Sequence, residues 1–326
     1  TDPMNPVAGP KLLPSDGAAG DQFGAHRAIA IDGGLIIVGA GGHDHMANDS
    51  GAIWVFDAVT GTELRKLVPS DPADDARFGR SLAISGDLLV VGAFLADMNG
   101  NESGAAYLFD ATTGVELAKF GAGDGDANDW FGWDVAIDGD IVMVSARHDE
   151  ELGTRSGSAY LFDVSDPASP VQLAKIVAPD GASADCFGEQ IDIQDDRLII
   201  GAVFDDDNGT DSGSAYLFDI SDPTTPVLVQ KLMPNDAATD DSFGQSVALN
   251  GSIVAVGAPS HAAGGVGKAY LFDAETGAQL DKLIPSDGAA IDMFGHALAI
   301  DDGSTLLSTS MKHDANGVDS GAAYVF

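Results

Sequence analysis

The chain repeats one short plan six times. Phe-Gly recurs at Phe23, Phe78, Phe131, Phe187, Phe243 and Phe294, at intervals of 55, 53, 56, 56 and 51 residues. An alternating segment follows each Phe-Gly (RSLAI, WDVAI, QSVAL), then a tight turn and a more apolar segment (DLLVVGA, DIVMVSA, SIVAVGA). An acidic loop leads into GAAYLFD or a near relative, and a short turn into ELAKF or QLAKI. Period-two alternation bounded by turn residues makes each unit four strands, with no helical periodicity anywhere. Four strands per fifty-odd residues is the signature of a propeller blade, so the expected fold is all-β. It is a six-bladed β-propeller of four-stranded antiparallel blades.

The ends bear on closure. The sixth unit stops at Phe326 on its third strand, and KLLPSD at residues 11–16 is the remaining fourth-strand segment. The N-terminal strand is therefore expected to complete the last blade, leaving no free sheet edge. Residues 1–10 are read as a flexible or added leader, and 11–326 as one propeller domain.

Between the first two strands each unit has a short turn: Asp32-Gly33, Ser85-Gly86, Asp138-Gly139, Gln194-Asp195, Asn250-Gly251 and Asp302-Gly303. Glycine and asparagine take the positive φ of two-residue hairpins cheaply. In the first strand, Phe78, Leu82 and Ile84 share one parity, and Gly79, Ser81 and Ala83 the other. A bulky blade face can thus seat on its neighbour's small face, with the glycines permitting close approach. Unit one carries two extra residues after its Phe-Gly, an even insertion that keeps every side chain on its original face.

Composition excludes several functions. The net charge is -36, from 15 Lys plus Arg against 51 Asp plus Glu, so nucleic acid and anionic membranes are repelled. No apolar run is long enough to span a bilayer. The one cysteine, Cys186, allows no intrachain disulfide.

The run FG…SVA…VGAP followed by SGAAYLFD resembles the FG-GAP repeat, the unit of the integrin alpha-subunit N-terminal propeller and of many bacterial secreted proteins. The resemblance covers essentially the whole chain and implies an extracellular or cell-surface binding or adhesion module. Integrin-type repeats often hold an acidic metal loop between strands one and two. Tight turns occupy that position here in all six units, so the family's metal residues are not carried over.

The acid lies elsewhere, in the links between units and in the loops between strands two and three, which antiparallel geometry puts on one face. An aspartate stands seven residues before every Phe: Asp16, Asp71, Asp124, Asp180, Asp236 and Asp287. Another stands two before it in five units: Asp21, Asp129, Asp185, Asp241 and Asp292. They can cap turns by accepting backbone N–H bonds, or they can converge on calcium, which takes six to eight oxygens. Their regularity favours the structural role. The densest cluster, Asp205, Asp206, Asp207, Asn208 and Asp211, is the best candidate for a Ca2+ site, although no cofactor is required. His43, His45, His148, His261 and His313 fall in loops of different units and are read as exposed polar residues, not as one metal site.

Positions that vary between repeats are free to specialise. Four residues before the end of strand one stand Arg27, Arg80, Trp133, Glu189, Gln245 and His296, near the axis on the acidic face. With Trp130, whose ring could stack on a sugar, they form the candidate ligand site. No nucleophile elbow, phosphate loop or zinc-protease motif is present. The leading reading is a monomeric, non-catalytic binding module for a glycan or protein ligand. The rivals are a polysaccharide lyase or hydrolase using His296, Glu189 and Arg80, and a purely structural domain of a larger surface protein.

Overall fold

The computed structural model describes residues 9–326 apart from 261, 263, 302–304 and 315–316; the Asp302-Gly303 turn and His261 lie outside the described residues. Its order is strand after strand, each antiparallel to the last, in five four-stranded sheets and a final three-stranded one. The six inner strands are Ile29–Asp32, Ser81–Ser85, Phe131–Asp138, Phe187–Gln194, Ser246–Asn250 and Phe294–Ile300. All six line one axial cavity, which makes the assembly a six-bladed β-propeller.

The repeat landmarks work as packing parts. Each Phe packs edge-on against the aromatic residue of its own third strand, as Phe78 does on Tyr107 (centroids 5.3 Å apart) and Phe187 on Tyr216 (5.3 Å). Phe78 and Leu82 also join a buried cluster with Ile37, Ile53 and Val55 of the preceding blade. Phe78, Phe131, Phe187, Phe243 and Phe294 are all at most 1% exposed. At Gly79, φ is +85° and a Cβ would lie 2.7 Å from Ile53 Cγ2, so only glycine lets the turn seat on the blade before it. The glycine ending strand two receives that turn: Cβ atoms on Gly39, Gly92, Gly201 or Gly257 would strike the carbonyl oxygen of the next Phe-Gly glycine.

Closure by the N-terminal strand is not what the structure has. The sixth sheet comprises only Phe294–Ile300, Leu306–Ser310 and Ala322–Val325. Residues 11–16 join no sheet; Ser15 N–H donates to Glu63 (2.8 Å), Lys66 pairs with Asp16 (2.8 Å) and Leu12 packs near Trp54 and Phe56, the same contacts with the following blade that Ser70, Asp71 and Leu67 make. The seam between blades six and one is correspondingly open. Ile29 and Ile31 are 61% and 69% exposed, whereas Leu82, Val135, Ile191 and Val247, at the position of Ile29, are at most 5% exposed. On the facing side Leu307 is 40% exposed, where Ile37, Val90, Met143, Ile199 and Ala255 are completely buried.

One position on the facing side also departs from the repeat. Strand pairing aligns Thr309 with Gly39, Gly92, Gly201 and Gly257. Blade three has Ser145 at this register and still receives Gly188 of the next blade, whereas threonine is bulkier and branched.

Candidate functional site

The link face is built from backbone bonds between each strand two-three loop and the following link. Asn48 C=O accepts from Asp75 N–H (2.8 Å), Asn101 C=O from Asn128 N–H (2.9 Å) and Thr210 C=O from Asp240 N–H (2.9 Å). Both acidic loop sets therefore share one face, as the antiparallel geometry requires.

The regular aspartates are structural. Those two before each Phe reach back to cap their own turn: Asp21 accepts from Ala18 N–H (2.7 Å), Asp129 from Asp126 (2.6 Å), Asp185 from Ala182 (2.7 Å) and Asp292 from Ala289 (2.7 Å). Five of the six that stand seven before it hold a lysine of the next blade, as Asp71 holds Lys119 (2.7 Å), Asp124 Lys175 (2.8 Å) and Asp236 Lys282 (2.6 Å), while Asp287 lies 3.7 Å from His313. The adjoining tyrosine hydroxyls of Tyr107, Tyr216 and Tyr270 donate to the same aspartates at 2.8–3.0 Å.

The acidic cluster of blade four follows this plan. Lys231 Nζ sits among Asp205 (2.8 Å), Asp207 (2.6 Å) and Asp180 (2.9 Å). Asp206 accepts from Asp211 N–H (2.7 Å), and Asn208 N–H donates to Ser212 (3.3 Å). Burial opposes the charge on Lys231, yet the bonds to Asp205, Asp207 and Asp180 hold its pKa above the usual lysine value. An ammonium thus stands where these carboxylates would gather a cation. Replacing Lys231 by Met is expected to cost about 2 kcal/mol, the buried-pair figure discounted because Asp180 and Asp207 are half exposed. Millimolar calcium should then raise the melting midpoint of the variant and leave the parent unchanged. An equal calcium response in both proteins would show that the ammonium does not fill the cation position.

The histidines are spread over several blades. His43, read from sequence as exposed, is 5% exposed: Nδ1 lies 2.9 Å from Asp21, Nε2 2.6 Å from Lys66, and the ring meets Trp54 edge-on. It fills a core slot beside the tryptophan that replaces the tyrosine of other blades. His148 lies flat on Trp130, with ring centroids 3.6 Å apart. Its burial, with Arg147 and Arg155 nearby, pulls its pKa down to about 4, so it is neutral at pH 7.

The varying inner-strand residues do meet at the axis. Arg27 donates to the backbone carbonyls of Glu189 and Gln245 and pairs with Asp134 at 3.3 Å. Gln245 Nε2 donates to Glu189 Oε1 (3.1 Å), and the Trp133 indole N–H to Glu189 C=O (3.0 Å). The Arg80 guanidinium lies over the Trp133 ring, 3.6 Å from its centroid. Arg27, Arg80, Glu189 and His296 line one cavity of about 580 Å³, which opens between blades six and one. Trp130 stands outside this cavity, stacked on Trp133 at 5.6 Å. Trp133 is 9% exposed, so its ring is a wall under Arg80.

Several members of the site escape a reading by position alone. Arg147, just past strand two, pairs with Glu189 at 2.8 Å; Asp134 follows Trp133 on the inner strand, and His26 belongs to the blade-one insertion. Gln190 and Asp192 accept the backbone N–H groups of Val247 (2.9 Å) and Leu249 (2.7 Å) on the next inner strand. Their signal was present as EQIDIQ, where polar residues occupy the parity held by serine and alanine in RSLAI.

No curated protein matches the chain. The FG-GAP repeat profile matches residues 9–56, 62–109, 115–162, 170–218, 227–272 and 278–326, each match after the first spanning the last strand of one blade and the first three strands of the next. With nearly its whole length accounted for by these matches, and with each Phe-Gly seated on the strand-two glycine of the blade before it wherever that glycine is present, the chain belongs to the FG-GAP repeat family.

Proposed function

We propose that this propeller is a non-catalytic, extracellular binding module that takes a glycan or protein ligand at the axial mouth of its link face. FG-GAP repeats are typical of extracellular or surface proteins. The observation that carries the reading is convergence. Five of the six inner-strand positions that differ between blades are joined by hydrogen bonds, an ion pair or ring contact, and the sixth, His296, lines the same 580 Å³ cavity. A cavity of this size with a few fixed polar groups is the usual form of a ligand site.

Catalysis is disfavoured by how those groups are held. Glu189 is engaged by Arg147 (2.8 Å) and by Gln245 (3.1 Å), which leaves it poorly placed to exchange a proton with a substrate. Screening immobilised glycans and peptides should give saturable binding with the ligand recovered unchanged; appearance of cleaved product would overturn the non-catalytic reading. Glu189→Gln is expected to weaken that binding by about tenfold, because the substitution leaves Arg147 without its buried partner.

A further inference from the structure

The charges at the mouth are unevenly matched. Three of the chain's seven arginines lie there: Arg27, Arg80 and Arg147. Arg27 is met by Asp134 (3.3 Å) and Glu189 (3.9 Å), and Arg147 by Glu189 (2.8 Å). Arg80 has no carboxylate within 4 Å among the described residues. One of its five N–H donors reaches Trp133 C=O at 3.3 Å, and its plane rests against Trp133 and Phe94.

Burial, followed by the charge of Arg27, pulls the pKa of Arg80 down to about 10, so it remains protonated at neutral pH. His26 is depressed by burial and then by Arg80, Arg27 and His296, all cationic groups or histidines. With three arginines against Asp134 and Glu189, the mouth carries an excess of one positive charge on a chain of net charge -36. Around Arg80 the cavity wall is largely apolar, with Ala25, Ala297, Met311 and Ala322 among its members.

We propose that the axial mouth binds an organic carboxylate carried on an apolar body, with Arg80 pairing the carboxylate and the seam between blades six and one receiving the apolar part. The inference rests on the mouth being the ligand site, as proposed above, and adds the chemistry of what enters it. A guanidinium fixed flat on an indole has already lost most of its rotational freedom, so pairing costs little further ordering. A carboxylate accepts two parallel N–H bonds from that fork, which a hydroxyl cannot. Ile29 and Leu307 add exposed apolar surface to the two sides of that seam.

The test uses 3-phenylpropionate, its neutral amide, the corresponding amine and galacturonate as probes, by titration calorimetry and tryptophan fluorescence on the whole chain. The acid should bind at least tenfold more tightly than the amide, with the amine and galacturonate weaker still. Arg80→Met should abolish the preference for acid over amide, and Arg80→Lys should keep part of it. Should the Met variant fail to fold, the acid-amide comparison on the parent protein and the Lys variant still decide the matter. Equal binding of acid and amide overturns the carboxylate proposal while leaving the mouth a ligand site. Galacturonate binding as tightly as 3-phenylpropionate overturns the apolar part. If neither these probes nor any glycan or peptide perturbs the tryptophan signal, the mouth itself is not the binding site and both proposals fall.

Discussion

Alanine at Gly213 is expected to lower folding stability by about 3–5 kcal/mol, far more than alanine at Gly251. Both glycines have positive φ, +76° and +54°. At Gly251 nothing lies within 4 Å of a Cβ, so only the left-handed backbone strain is felt, about 1 kcal/mol. At Gly213 the Cβ would fall 2.6 Å from the amide nitrogen of Phe243 and closer still to its carbonyl oxygen. These are backbone atoms already bound across the seam, Phe243 N–H to Ser212 C=O at 3.0 Å, so they cannot swing aside as a side chain would. The two blades must separate, and the Phe243 ring loses its buried seat. Urea denaturation of both variants gives the comparison, read as midpoints at unchanged slope. Similar losses at the two positions would refute the idea that blade contact, and not local turn strain, sets the cost.

Stability should rise by a few kcal/mol as pH falls from 8 to about 5, and Asp192→Asn should remove roughly half of that rise. Burial pushes the Asp192 carboxyl up to about 7, with Asp134 and Asp138 nearby adding to the effect and the N–H groups of Leu249 and Ile193 opposing it. Burial likewise raises Asp134, Asp129 and Asp185 to about 6. A carboxyl whose folded pKa lies above its unfolded value binds more protons when folded. Its contribution is therefore greatest below the unfolded pKa and is lost as pH climbs through the folded one. For Asp192 a shift of this size corresponds to about 4 kcal/mol at most; the residue borders the axial cavity and is only half-buried, so about 2 kcal/mol is the better expectation.

The sign reverses in stronger acid. Hydrogen bonding to Lys66 lowers Asp16, and Lys175, Lys231 and Lys282 lower Asp124, Asp180 and Asp236 against the opposing effect of burial. Those carboxylates stabilise the fold when ionised, and that stability disappears as pH falls below the ordinary carboxylate range. A stability maximum near pH 5 is the expected outcome, measured by urea titration across pH 3 to 9. A profile flat between pH 5 and 8, or unchanged by Asp192→Asn, would be incompatible with it.

The first five blades, and three strands of the sixth, were legible in the sequence because each is a local object. Phe78, Tyr107 and the turn aspartates act within one repeat or on its immediate neighbour, so strand order, turns and the small-face glycines could be derived from alternation and spacing. Comparing repeats also picked out Arg27, Arg80, Trp133, Glu189, Gln245 and His296 as an axial set, since equivalent positions in a ring must face a common centre.

Tertiary structure alone decided what those residues do to one another. Arg27 meets Asp134, which lies two blades away in the ring, and Arg147 enters from another strand to neutralise Glu189, so Arg80 is left facing the cavity. It also decided the seam: KLLPSD has the composition of a closing strand, but it does not pair with Ala322–Val325, and the sixth sheet keeps three strands. Local pattern specifies a repeat because its contacts recur at a fixed period, whereas the axis and the seam join segments whose distance along the chain carries no period to read.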